Sequence, residues 1–206
     1  MQIGVRYLSV LITILGLATF SFNSAQAAAG PTDQVRRLIR AIGDMNGKSA
    51  RQVADQVAYQ AKAAREANTV LDIPAVGQWA LGKHWSVRTP NEQTEFITLL
   101  QELFVKVAYP KSAAFFSDYH VDVLDERVNG ARATVRTTVV DPKEGLVAVD
   151  YRLMQNNGSW RVRDILLDDV SLAANLRSQF NQIIAKDSYA ELLRRMREKL
   201  AESVTP

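Results

Sequence analysis

The chain has 206 residues, with 25 Lys and Arg against 22 Asp and Glu, a formal net charge of +3 and no cysteine. Disulfide scaffolds and thiol chemistry are thereby excluded. The charge excess is too mild to argue for nucleic acid as a partner.

The first segment, "MQIGVRYLSVLITILGLATFSFNSAQAAAG", carries one positive charge at Arg6, an apolar run from about Leu8 to Phe20, and Ala25-Gln26-Ala27. That is the order of a secretory signal with a small-residue cleavage site. The run is short for a span of about 20 apolar residues. The sequence therefore predicts a signal peptide at 1–27 and one domain at 28–206, a length that buries a sizeable core. Export without cysteine suits a periplasm.

The predicted helices come first. One starts near Pro31-Thr32-Asp33, with Val35, Leu38, Ile39 and Ile42 at helical spacing. A capping box at Ser49–Gln52 opens a second, running to about Asn68. Asp72 caps a short third helix containing Pro74 and stopping at Gly82. Thr89, Pro90 and Glu92 then supply three agreeing start signals for a long helix. Phe96, Leu99, Leu100, Leu103, Phe104 and Val107 mark its apolar face. Pro110 is predicted to end or kink it, and Phe115, Phe116 and Tyr119 continue the aromatic stretch.

The period then changes to two. A strand from His120 to Val128 meets Asn129-Gly130, a strong hairpin signal. "ARATVRTTVV" alternates, "DPKEG" turns, and Val147, Val149, Tyr151 and Leu153 alternate again. Asn157-Gly158 turns into "SWRVRDIL". After Ser171, Leu172, Leu176, Phe180 and Ile183 form a helical stripe. Ser188 and Glu191 cap a last helix. The prediction is an α+β fold: a curved four-stranded antiparallel sheet wrapped by helices on one face.

Chemistry is sparse. His84 and His120 have no second ligand at metal spacing. Asp164, Asp168 and Asp169 read as turn and cap residues, because a calcium loop needs more regular oxygen spacing. No phosphate loop, dinucleotide fingerprint or nucleophile elbow is present. Arg132, Arg136, Arg152, Arg161 and Arg163 fall on outward strand positions, as a solvated face or a surface for acidic partners.

The stretch "DIPAVGQWALGKHWSVRTPNEQTEFITLLQELFVKVAYPKSAAFF" resembles the MlaC family of periplasmic phospholipid-binding proteins, the auxiliary component also known from toluene-tolerance operons. The resemblance rests on Asp72-Ile73, the Leu81-Gly82-Lys83-His84-Trp85 step, Pro90, Glu92-Gln93, Phe96 and Tyr109. It continues in Trp160-Arg161-Val162, Asp164-Ile165, Val170-Ser171-Leu172 and Asn175 through Phe180. Two departures stand out: Asp169 where the family usually has Gly, and His84 where relatives are often aromatic.

The resemblance implies an apolar cavity between sheet and helices that takes lipid acyl chains, with the headgroup toward solvent. It implies bound phospholipid as cargo, no cofactor, and shuttling in the periplasm. The implied partners are an inner-membrane ABC transporter with its periplasmic substrate-binding subunit and an outer-membrane lipoprotein complex. Facing stripes and the resemblance together select Val76, Trp79, Leu100, Phe104, Tyr109, Phe115, Val135, Val149, Tyr151, Leu172, Leu176 and Phe180 as the lining. A hopanoid-linked branch of the family is close, so a hopanoid or other lipid is the alternative cargo. Two further readings differ in class. One is a small isomerase- or dehydratase-type enzyme built on Tyr109, Tyr151 and Asp150, although alternation puts Asp150 opposite Tyr151. The other is an adaptor with a solid core.

Overall fold

The computed structural model describes residues 29–45, 53–118, 120–141 and 145–203. The predicted signal at 1–27 and the capping box at Ser49–Gln52 lie outside them.

Helix α1 (Pro31–Asp44) starts with proline at its first position, where the missing N–H costs nothing. Asp33 Oδ2 accepts from the Gly30 N–H at 3.2 Å. Val35, Leu38, Ala41 and Ile42 form its buried stripe. Helix α2 (Val53–Val70) runs on to an isolated bridge between Leu71 and Val162. Helix α3 (Ile73–Leu81) is capped by the Asp72 carboxylate, which accepts from Ala75 N–H, and stops at Gly82 with φ 54°. A Cβ on Gly77 would come within 2.8 Å of Ile97 and Leu100 side-chain atoms. Glycine there lets α3 lie close against helix α4 (Pro90–Leu103). Thr89 and Glu92 form the reciprocal cap read from the sequence.

Pro110 does not end the helical run. A π-helical turn at Phe104–Ala108 leads directly into α5 (Tyr109–Asp118). Proline removes the α-helical donor for the carbonyl four residues back and crowds it. The wider π turn accommodates that defect, and the helical run continues through Pro110.

The sheet has five strands, not four, ordered β1-β2-β3-β4-β5, antiparallel throughout and open at both edges. They are β1 (Val121–Asn129), β2 (Arg132–Asp141), β3 (Gly145–Asn156), β4 (Ser159–Leu167) and β5 (Val170–Ser171). The β3–β4 turn places Asn157 and Gly158 at φ 48° and 77°, the twist that suits a two-residue hairpin. The unpredicted strand comes from a second such turn. Asp168 and Asp169 adopt φ 44° and 65°, so the chain doubles back and Leu167 pairs with Val170 and Leu166 with Ser171. Short carboxylate side chains tolerate that region better than most residues.

One face of the sheet is apolar. Val135 and Val139 of β2, Val147, Val149, Tyr151 and Leu153 of β3, and Trp160 and Val162 of β4 are buried there. Helix α1 packs against β2 and β4 on this side. Helices α3, α4, α6 (Leu172–Lys186) and α7 (Tyr189–Glu202) pack on one another beside the β4 end. Ser171 and Ser188 cap α6 and α7. No described helix is long and apolar enough to cross a membrane.

Candidate functional site

An apolar cleft of about 450 Å³ lies between helices and sheet. Its helical bank is Leu38 and Ile42 of α1 with Phe104, Ala108, Tyr109, Lys111 and Ser112. Its sheet bank is Val147 and Val149 of β3, Ile165 and Leu167 of β4, then Asp168 and Leu172, with Leu71 at the helix–sheet junction.

The π turn shapes the helical bank. In an α-helix, residues five apart point in different directions. A turn bonded over five residues stacks them, and the Phe104 and Tyr109 rings meet with centroids 5.8 Å apart at 60°. A bulge shapes the opposite bank. The β3–β4 register shifts between Arg152 and Leu153. Before the shift, Trp160 and Val162 face inward. After it, Ile165 pairs with Tyr151 and Leu167 with Val149, so odd-numbered residues face the cleft.

The twelve positions selected from the sequence divide into groups. Phe104, Tyr109, Val149 and Leu172 line this cleft. Val135 and Tyr151 are cross-strand partners, fully buried on the same inward face. Val76 and Trp79 line a different cleft of about 350 Å³, together with outward strand residues Arg132, Thr134, Arg152 and Met154. Leu100 is buried where α4 meets α3. Phe180 packs edge-on against Phe96 at 5.7 Å, joining α6 to α4. Leu176 is partly buried against the core. Phe115 belongs to α5, but its side chain lies outside the described residues. Leu38, Ile42, Leu71, Val147, Lys111, Ser112, Ile165, Leu167 and Asp168 line the cleft without having been selected. Leu38, Ile42 and Val147 stood in the apolar stripes already read, and only their orientation was missing.

The polar groups near the cleft are mostly committed. Tyr109 Oη donates to Asn68 Oδ1 at 2.7 Å. The Asn68 carbonyl accepts from Arg161 Nη2 at 2.9 Å, and the Leu71 carbonyl from the same nitrogen at 3.3 Å. Arg161 and Arg163 approach the buried Asp72 carboxylate at 3.8 and 3.1 Å. These two arginines, expected on an outward face, instead hold the α2–α3 junction to β4. Arg152 lies 3.5 Å from Asp164 and Arg136 3.8 Å from Asp150.

Burial pushes the Tyr109 and Tyr151 hydroxyls well above the usual tyrosine range. Both stay protonated at neutral pH. The Tyr151 hydroxyl is buried and finds no hydrogen-bond partner among the described residues. Asp150 lies on the other face, beside Arg136, so the three groups of the enzyme reading do not meet. The aspartates at the end of β4 have structural partners. Asp164 accepts from Ser171 Oγ at 2.7 Å and from Ala173 N–H at 3.1 Å, and Asp168 from Ala148 N–H at 3.0 Å. Among the described residues no cluster of three or more His, Cys, Asp or Glu could hold a metal ion.

Comparison with known proteins adds to this geometry. The sequence model of the MlaC protein family matches residues 36–198. The fold is similar to that of a phospholipid-binding protein from Ralstonia solanacearum, solved in complex with a phospholipid. The TM-score is 0.65 at 23% identity, covering 88% of this chain and 100% of that one. No curated protein sequence matches the chain.

Proposed function

Because the chain belongs to the MlaC family, we propose that it is a periplasmic carrier that holds phospholipid acyl chains in an apolar cavity. The cavity is the cleft between the α1–α5 bank and the β3–β4 face, with the headgroup at its mouth. The observation that carries this reading is the cleft itself. It is about 450 Å³, lined almost wholly by apolar and aromatic side chains, and it lies where sheet and helices part. The Ralstonia solanacearum protein, of similar fold, is a phospholipid-binding protein in complex with its lipid. The carrier is exported by a signal cleaved after Ala27. It shuttles between an outer-membrane lipoprotein complex and an inner-membrane ABC transporter with its periplasmic substrate-binding subunit. It performs no reaction on its cargo.

The test is direct. The full-length precursor is expressed, the processed protein recovered from a periplasmic extract, and its lipid extracted and weighed by mass spectrometry. The expected result is a first residue at Ala28, give or take a residue or two, and phospholipid in stoichiometric amount. Protein that comes out empty and takes up no lipid from vesicles overturns the proposal. An uncleaved N-terminus in the membrane fraction overturns the localisation.

A further inference from the structure

The cleft lining contains two charged side chains of opposite sign, and they sit on opposite banks. Lys111 comes from α5 and Asp168 from the β4–β5 turn, and both are exposed. Among the described residues neither makes an ion pair with another side chain. The Asp168 carboxylate is fixed through one oxygen, which accepts from Ala148 N–H. Among the described residues its second oxygen has no hydrogen-bond partner. Ser112, next to Lys111, adds a hydroxyl to the helical bank. Every other lining residue is uncharged. Two exposed charges of opposite sign thus line an otherwise uncharged, mainly apolar slot.

We infer that this mouth reads a zwitterionic headgroup, with its phosphate toward Lys111 and Ser112 and its ammonium toward Asp168. This rests on the carrier reading and adds the class of lipid. Apolar walls cannot distinguish phospholipids with the same chains, so any discrimination must come from the rim. A phosphate held by Lys111 and Ser112 is common to all phospholipids. An ammonium on a two-carbon spacer, as in phosphatidylethanolamine, reaches across to a carboxylate. The glycerol group of phosphatidylglycerol brings no cation, and it leaves Asp168 facing an anionic lipid. The contact is exposed and screened, so the preference has the size of one surface ion pair, about threefold.

The test uses the processed full domain, stripped of lipid and refolded. It is incubated with vesicles containing phosphatidylethanolamine and phosphatidylglycerol in equal amounts, with identical acyl chains. Bound lipid is extracted and quantified at low and high salt. The expected bound ratio favours phosphatidylethanolamine about threefold at low salt and falls toward the vesicle ratio at high salt. Asp168→Asn, which keeps a residue tolerant of φ 44°, should abolish the preference. Lys111→Gln should lower loading of both lipids together. Wild-type protein loaded at the vesicle ratio overturns this inference and leaves the carrier reading standing. An Asp168→Asn variant that keeps the preference also overturns it. Protein that takes up neither lipid overturns both.

Discussion

Replacing Val149 by glutamate separates a lipid cavity from an ordinary core. Val149 is fully buried on β3, between Val147 and Tyr151, and its side chain reaches the cleft. Its carbonyl is already used, accepting from Thr137 Oγ1 at 2.6 Å. Val149→Glu loses about 1.5–3 kcal/mol of apolar burial. It also brings a carboxylate that costs several kcal/mol unless it protonates or finds water. The longer side chain points into a space of about 450 Å³, which can hydrate when no lipid is present. The loss should then stay near 2–4 kcal/mol, short of the 5–15 kcal/mol that holds a typical domain. For a chain of this size that is a melting point lowered by about 5–15 °C, with native far-ultraviolet dichroism. Lipid content should fall at least tenfold. Leu172→Glu is the matched control. Leu172 is 38% exposed at the edge of the same cleft, so its carboxylate keeps water and the melting point should barely move while lipid is lost. Thermal melts and lipid quantified after purification measure both. Unfolding by both variants would mean a solid core and favour the adaptor. A folded Val149→Glu protein with its full lipid would show that the wrong wall has been assigned.

The two buried tyrosines should respond in opposite directions. Tyr109→Phe leaves Asn68 Oδ1 without its donor and should cost about 0.5–1.5 kcal/mol in urea unfolding. Tyr151→Phe removes a buried hydroxyl that has no partner and should be neutral or stabilising. An equal loss from Tyr151→Phe would refute the assignment of an unpartnered group. Asp169→Gly restores the residue usual in the family at φ 65°. It relieves a left-handed strain of the order of 1 kcal/mol and should raise the melting point by about 2–4 °C. A fall would show that the Asp169 carboxylate contributes more than its backbone costs.

Much of the architecture was legible because its signals are local. Thr89-Pro90-Glu92 and Asn157-Gly158 act through backbone geometry that neighbours cannot easily override. At the first hairpin, by contrast, Asn129 pairs with Arg132 and the turn moves one residue on, to Gly130 and Ala131. What escaped depends on longer-range adjustments. The fifth strand is two residues long, too short for any periodicity, and exists because two aspartates accept positive φ. The π turn answers a proline that follows it. The bulge at Arg163 inverts the alternation of β4, which is why Ile165 and Leu167 were not read as cleft residues. Leu100 and Phe180 show a different limit. Their stripes correctly identified an inward helix face, but amphipathicity does not say which neighbour covers that face. Here α3 covers Leu100 and Phe96 meets Phe180, and neither contact is with the cleft.

The sparse polar chemistry of the cleft suits a carrier on energetic grounds. Two acyl chains hold about 30 CH₂ groups, and at about 0.8 kcal/mol each their withdrawal from water yields ~20 kcal/mol, near the ceiling of noncovalent affinity. A bilayer offers the same hydrocarbon environment, so transfer between bilayer and cleft is nearly balanced. A site with several deeply buried, complementary polar contacts would tilt that balance and trap its cargo. In this chain the Tyr109 hydroxyl is already committed to Asn68, and Arg161 and Arg163 are committed to Asp72 and the end of α2. Among the described lining residues, Lys111, Ser112 and Asp168 are the polar groups left for a lipid, and the two charged ones are exposed, where contacts are weak and screened. Such a mouth can bias which lipid is carried without holding it. It cannot set a direction, because a balanced exchange runs only to equilibrium. Net movement in one direction must come from the machine that empties the carrier, and a transporter driven by ATP meets that requirement.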